Sequence, residues 1–356
     1  MNRNRKITKY LVIALCSIAF QTITAFAQNE PTPTPPKTPK IYAPKTAPRT
    51  QPRRAPVHVP RPRPLTTERE DSEKSIVVDG KVNIFVPCVL EGNVKINGWD
   101  RNEVRIFIQN GSPIGYVVRE KNKQNGNPAW IEVLGYDPAK NQERRNECLY
   151  GGEIEIDVPR NASISVKGRE TRMTIDSVRR ATVKTAGGDI SLRNIDEGVE
   201  ALTYEGDVSV ENSGGAITLE SATGNILAYE TAPSEIGDIF RAKTTNGAIA
   251  LQGLEHRQIE VNSISGSISY NGGFLGGGVY NFGTSNGAIN LAIPKDSSCK
   301  VNASYGFGGF NSEIPIDKTI ENKSSRGQNI IGTMGNGNAS LNLTTASGAI
   351  RIRGKK

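Results

Sequence analysis

The sequence predicts an all-β fold: a β-solenoid, parallel β-helix or β-roll-like, of about 20-residue coils behind a disordered proline-rich linker. Three features point there. From about Ser75 onward apolar and polar residues alternate, as in "VKING" (Val94 to Gly98) and "IEIDV" (Ile154 to Val158); a period of two marks strands with one buried face. One short motif is written repeatedly: "TTNGAIALQG" from Thr244, "TSNGAINLAI" from Thr284, "TTASGAIRIRG" from Thr344, and more loosely "TAGGDISLRN" from Thr185 and "TYEGDVSVEN" from Thr203. Helical spacing is nearly absent, and Gly, Asn, Ser and Thr interrupt the alternation every eight to twelve residues.

In chain order, residues 1–27 read as a secretory signal, with a basic start, an apolar centre and a small-x-small ending at Ala27. The apolar run is shorter than the roughly 20 residues of a membrane span. Cys16 follows Leu15, a residue too large for a lipid-attachment site. Residues 28–74 read as a basic linker that holds 12 of the 20 prolines and has little to bury. Extended as polyproline II, the stretch from Pro31 to Pro64 would reach on the order of 100 Å.

The net charge of +8 comes from these two segments. Residues 1–27 hold four Lys/Arg and no acid, and residues 28–74 hold ten Lys/Arg against five Asp/Glu, which leaves 75–356 at −1. A near-neutral body argues against nucleic acid as a partner. The linker's charge fits peripheral association with anionic lipid or cell-wall polymer, or simply solubility.

Residues 75–356 are expected to form the solenoid, with 75–160 less regular and 161–356 regularly repeated. The repeat is marked by Gly168, Gly188, Gly206, Gly224, Gly247, Gly266, Gly287 and Gly306, of which Gly168, Gly224 and Gly306 are the weaker members. Gly198, Gly215, Gly237 and Gly277 fall midway, so each coil reads as two strands and two tight turns. Stacked coils would cover the apolar face that one coil leaves bare. The recurring motif is then a corner, where glycine enters positive φ without a Cβ penalty, and Thr244, Asn246, Thr284 and Asn286 are placed to cap it with their side chains. Gly247→Val is expected to cost about 1 to 2 kcal/mol.

Alternation assigns an inward face to Ile190, Leu192, Val208, Val210, Ile217, Leu219 and Ile226, and likewise to Ile249, Leu251, Ile268, Ile289, Leu291, Ile350 and Ile352. An antiparallel sandwich is the competing architecture. A near-identical corner every second strand favours the solenoid, with antiparallel pairing left open for 75–160.

The segments "GNVKINGWDRNEVRI" (Gly92 to Ile106), "IEIDVPRNASISV" (Ile154 to Val166) and "GAINLAIPKDSSCKVNAS" (Gly287 to Ser304), together with the T-x-x-G-x-I-x-L corners, resemble the bacterial putative-adhesin family, a domain of unknown function built from β-strand repeats. The resemblance covers nearly all of 75–356. It implies an extracytoplasmic β-solenoid and lends no catalytic residue.

A search for chemistry finds little. The two histidines, His58 in the linker and His256 in a connecting segment, are too few for a Ser-His-Asp site or a His-ligated zinc. His256 reads as a solvated loop residue. Asp189 and Asp207 follow equivalent corners one coil apart, within about 5 Å if coils stack; a polar turn explains them better than a calcium site, because Arg169, Asn225, Ala248, Ser267, Ala288 and Ala349 hold the same position elsewhere. The glycine-rich runs "GGFLGGGVYNFG" and "GTMGNGN" have no helix behind them and read as corners, not phosphate loops.

Tyr270, Phe274, Tyr280, Phe282, Tyr305, Phe307 and Phe310 form a late aromatic cluster, read as core or cap packing with an exposed recognition patch as the alternative. Trp99 and Trp130 are too isolated for a sugar platform. Cys88 and Cys148, both in the irregular section, are the disulfide pair expected of a secreted chain, leaving Cys299 unpaired.

The expectation is therefore a secreted or envelope-tethered, extracytoplasmic protein that is not an enzyme, with no cofactor and no metal. It would bind envelope polysaccharide or a surface protein through repetitive faces. A carbohydrate-active parallel β-helix enzyme and an envelope-stress component contacting a membrane partner are the alternatives.

Overall fold

The structure, a computed structural model, describes residues 71–135, 147–324 and 327–355. The signal segment 1–27 and the linker up to residue 70 lie outside the described residues, and so does His58. The first strand begins at Ser72, three residues before the expected boundary of the body.

Strands β1 (Ser72–Val77), β2 (Asn83–Trp99), β3 (Glu103–Gln109), β4 (Ile114–Lys121), β5 (Pro128–Gly135) and β6 (Glu153–Pro159) build one end. Antiparallel pairing occurs here, as the irregular sequence allowed: β1 with β3, β3 with β6, and β4 with β5. A disulfide joins Cys88 to Cys148. It fastens β2 to the approach to β6, beside hydrogen bonds from Leu149 N to Cys88 O (3.0 Å) and from Leu90 N to Leu149 O (2.8 Å).

From β7 (Ser163–Val178) onward the chain winds between two facing walls. The coils are β8 (Arg180–Gly187) with β9 (Ile190–Ile195), β10 (Gly198–Glu205) with β11 (Val208–Gly214), and β12 (Ala216–Thr223) with β13 (Ile226–Ala232). They continue as β14 (Ile239–Asn246) with β15 (Ile249–Leu254), β16 (Gln258–Ser265) with β17 (Ile268–Asn271), and β18 (Val279–Asn286) with β19 (Ile289–Pro294). Within each wall every coil pairs in parallel with the next. Like residues therefore pile into columns. Ile190, Val208, Ile226, Ile249, Ile268 and Ile289 stand in register along one wall, and all fourteen residues expected to face inward are buried. Each such side chain contributes about 1.5 to 3 kcal/mol when fully buried, so the stack is held by its columns more than by any single coil.

The corner explains the recurring motif atom by atom. A Cβ on Gly206 would lie 2.3 Å from the carbonyl oxygen of Gly188, on Gly224 2.0 Å from that of Gly206, and on Gly247 2.0 Å from that of Gly224. The backbones of successive corners touch, and only glycine leaves them room. The threonine or serine three residues earlier faces inward and donates to the same carbonyl one coil back: Thr203 to Gly188 (3.2 Å), Ser221 to Gly206 (2.9 Å), Thr244 to Gly224 (3.0 Å) and Thr284 to Gly266 (2.9 Å). Asn246 and Asn286 contribute differently from expectation, with backbone carbonyls that accept from Gly224 N and Gly266 N.

Two of the weaker markers are not corners. Gly168 lies inside β7, where Thr171 takes the position beneath Gly188, and Gly306 lies inside β20 (Cys299–Phe307), where Gly308 turns the chain.

The last part of the stack departs from chain order. Past β19, β20 and β21 (Phe310–Ser312) skip one rung; β22 (Asp317–Ser324) and β23 (Gly327–Met334) form an antiparallel hairpin that covers the free edge of β20; then β24 (Ala339–Ser347) and β25 (Ile350–Lys355) return to fill the vacant rung. β24 pairs in parallel with both β18 and β20, and β25 with both β19 and β21. The final coil is thus interior; antiparallel strands blunt the edges of both walls at the first end and of the β20 wall at the other.

Candidate functional site: the outer faces of the two walls

Side chains that alternate outward form rows across each wall, one residue per coil. Several charged members neutralise each other between coils: Lys184 with Glu200 (2.6 Å), Arg241 with Glu260 (3.0 Å), Arg193 with Asp176 (3.2 Å), and Arg179 with Glu197 (2.9 Å). Such exposed pairs set register and solubility more than stability.

Asp189 and Asp207 belong to a ladder of this kind. The Asp207 N–H donates to Asp189 Oδ1 (3.0 Å), Asn225 N–H to Asp207 Oδ1 (2.7 Å), and Ala248 N–H to Asn225 Oδ1 (3.0 Å). Arg172 occupies the other oxygen of Asp189 at 3.2 Å. The carboxylates satisfy backbone donors that bend away from the ladder at the corner. Among the described residues no group of three or more His, Cys, Asp or Glu could hold a metal ion.

His256 lies in a connecting segment, as expected, but is fully buried, contrary to its reading as solvated. It closes the space between the walls at the end of a coil, with its ring 5.8 Å from that of Phe240 and Nε2 at 2.9 Å from the Gly215 carbonyl. That geometry makes Nε2 the donor and leaves Nδ1 as a buried acceptor without a partner. Burial is the largest influence on its pKa and lowers it from the ordinary value, against the Gly215 hydrogen bond and the carboxylates of Asp238 and Glu255.

The aromatic cluster divides. Tyr270, Tyr280, Phe282 and Tyr305 are buried, and Phe274 and Phe310 pack against the core; ring centroids lie 5.2 Å apart for Tyr270 and Phe282 and 4.6 Å apart for Phe274 and Tyr280. Tyr270 donates to the Gly273 carbonyl at 2.7 Å, and a Cβ on Gly272 would stand 2.4 Å from its hydroxyl oxygen. The glycine-rich run 272–278 is therefore a lid pressed onto two tyrosines. Phe307 alone is out in solvent, 82% exposed. Cys299 is buried and free, and burial pushes its thiol up to about 11, which keeps it protonated and inert at neutral pH.

Two of the hollows on these faces are bordered by an exposed aromatic ring. One of about 480 Å³ runs over the first wall between Trp130 and Phe85, bordered by Asn83, Ser163 and Thr182. Trp130 is 42% exposed and stands opposite Asn83 in register, a grouping that the spacing of the two tryptophans in the sequence does not announce. Trp99 is committed elsewhere, with its indole N–H on the Glu103 carbonyl at 2.8 Å. The second groove, about 500 Å³, crosses the other wall from Tyr229 to Arg351 and Arg353. Its floor is the small outward residues Ala250, Ser269 and Ala292 and the amides Gln252 and Asn290. Sequence reasoning missed it because β25 joins this wall only through the rung that β21 skips.

Fold and faces together define a two-walled, capped β-solenoid with shallow polar-aromatic grooves. The model of the Toastrack DUF4097 family matches residues 131–353; the chain belongs to that family, whose function is unknown. No curated protein matches the sequence. Among solved structures, a putative cell adhesion protein from Clostridium sporogenes ATCC 15579 is similar at 12% identity and a TM-score of 0.24 over 80% of this chain and 100% of that one. A putative lipid binding protein from Parabacteroides distasonis ATCC 8503 is similar at 11% identity and a TM-score of 0.33 over 80% of this chain and 96% of that one. Neither likeness carries an argument about function.

Proposed function

We propose that the protein is a non-enzymatic, extracytoplasmic binding solenoid, held away from the cell envelope by its basic proline-rich arm and engaging polysaccharide or surface protein through the outer faces of its walls. The observation that carries this reading is the pair of open grooves in which a part-exposed aromatic ring, Trp130 or Tyr229, borders hydroxyl and amide side chains on a rigid strand surface. An aromatic face beside neutral hydrogen-bonding groups suits a ligand with an apolar ring face and many hydroxyls. Repetition favours weak contacts spread along a polymer. Sedimentation of the full chain with purified envelope polysaccharide and with envelope protein fractions tests the reading: retention by at least one is expected, and retention by neither overturns it. Release of new reducing ends in the same mixtures would replace it with the enzyme reading.

A further inference from the structure

The second-wall groove gathers positive charge at one end. Arg241 and Arg193 on the interior coils are each paired with a carboxylate one coil away, Glu260 and Asp176. Among the described residues, Arg351 and Arg353 have no such ion pair. Their neighbours across β19 are Asn290 and Ala292. The nearest acid along β21's side, Glu313, accepts from the Gly354 N–H at 3.2 Å. The two arginines project from the same face of β25 two residues apart, roughly 7 Å along the strand. Lys355, whose Nζ donates to Asn271 Oδ1 at 2.9 Å, adds a third cation beside them.

The backbone beneath these cations is held: β25 pairs with β19 along its length and with β21 at residues 350–352, so the arginines rise from a paired strand and not from a fraying chain end. Like charges this close repel, and an anion placed between them relieves the repulsion. Four strand spacings away, about 19 Å across the wall, Tyr229 closes the groove with a ring 38% exposed. Between the two ends the floor is low and neutral. The ligand that fits is extended, carries anionic groups that a planar fork can grip, and has a ring face for the tyrosine and hydroxyls for Gln252 and Asn290.

We propose that this groove binds an acidic polysaccharide, with Arg351 and Arg353 holding its carboxylates and Tyr229 stacked on a sugar ring. The proposal rests on the binding-solenoid reading and narrows it to one face and one ligand class.

The test is titration calorimetry of the full chain with an oligogalacturonate, a neutral oligosaccharide of equal length and poly-glutamate, at near-physiological ionic strength. The basic arm attracts any polyanion, so the measured quantity is the difference between arm-bearing proteins: wild type, R351Q/R353Q, Y229A, and R241Q on the opposite wall, each checked for an unchanged melting transition. Oligogalacturonate affinity is expected to fall about tenfold or more in R351Q/R353Q, to fall several-fold in Y229A, and to stay level in R241Q. Equal affinity in all four proteins overturns the proposal. So does poly-glutamate binding that responds to the arginine and tyrosine changes as the sugar acid does, which would make the groove a peptide site. Neutral oligosaccharide binding that ignores the arginines overturns the acidic ligand while the wider reading stands. Failure of wild type to bind any glycan or any envelope fraction removes both.

Discussion

Thr244 Oγ1 donates to the carbonyl oxygen of Gly224, one coil earlier, at 3.0 Å, and the same bond recurs from Thr284 to Gly266 and from Thr345 to Gly287. The first threonine of the T-x-x-G motif thus serves the glycine of the preceding coil, not its own. Thr244→Val keeps the shape and removes the donor, leaving a buried carbonyl short of a partner. We expect a loss of about 1 to 3 kcal/mol in urea unfolding, and a cost indistinguishable from zero would show that water serves that carbonyl instead.

Gly247→Ala places a methyl 2.0 Å from the Gly224 carbonyl oxygen, a backbone atom that cannot turn aside. The expected destabilisation is about 1 to 3 kcal/mol, from overpacking, and valine, which adds this clash to the backbone strain foreseen from the sequence, should exceed the ~1 to 2 kcal/mol expected from strain alone. Gly237, which has open space around its Cβ direction, is the contrasting position: its φ of +100° is strained for any L residue, yet nothing is struck. The loss at Gly237→Ala should therefore be smaller, as thermal unfolding of the two variants will show.

His256 gives the fold a dependence on pH with a definite sign. Its folded-state pKa lies below the unfolded value of 6.5, so the unfolded chain binds the proton first on acidification. The stabilisation is complete above the unfolded pKa and is lost as the pH falls through the folded one. His256→Gln retains a donor for Gly215 and cannot titrate. Between about pH 7.5 and pH 5 the melting temperature of wild type should fall further than that of the variant; parallel curves would contradict the assignment.

The Cys88–Cys148 bridge spans a separation of 60 residues. Closing a loop of that size stabilises by about 2 to 4 kcal/mol, chiefly through the unfolded chain. Cys88→Ser/Cys148→Ser is expected to lose that amount in denaturant titration, with early hydrogen exchange confined to residues 72–135 and 147–159. Uniform loosening of the later coils would show that the end cap nucleates the stack.

Much of this architecture is written in local pattern. The buried columns follow from alternation because both faces of each strand have unlike environments, and the corners follow from glycine because backbone touches backbone there. Gly348 sits in as close a corner as Gly247 and Gly287, one rung inside the end of the stack, whereas the weak Gly306 lies inside a strand. Position in the stack is decided by pairing across long sequence separations, which no local pattern carries, so the insertion of β24 and β25 and the groove it creates are seen only in three dimensions. His256 escaped for a related reason. Its neighbours Phe240 and Gly215 come from other coils, and a polar residue in a connecting segment gives no sign that it will plug the space between two walls.

Hydrogen exchange of the last coil examines the central claim, that coils stack in parallel register with the C-terminal coil inside the stack. Peptides covering residues 341–355 should exchange as slowly as those covering 249–270, and more slowly than the edge hairpin 317–324 and 327–334. Early exchange of 341–355, at the rate of a fraying chain end, would place that coil outside the stack and dismantle both the closed core and the arginine groove built on it.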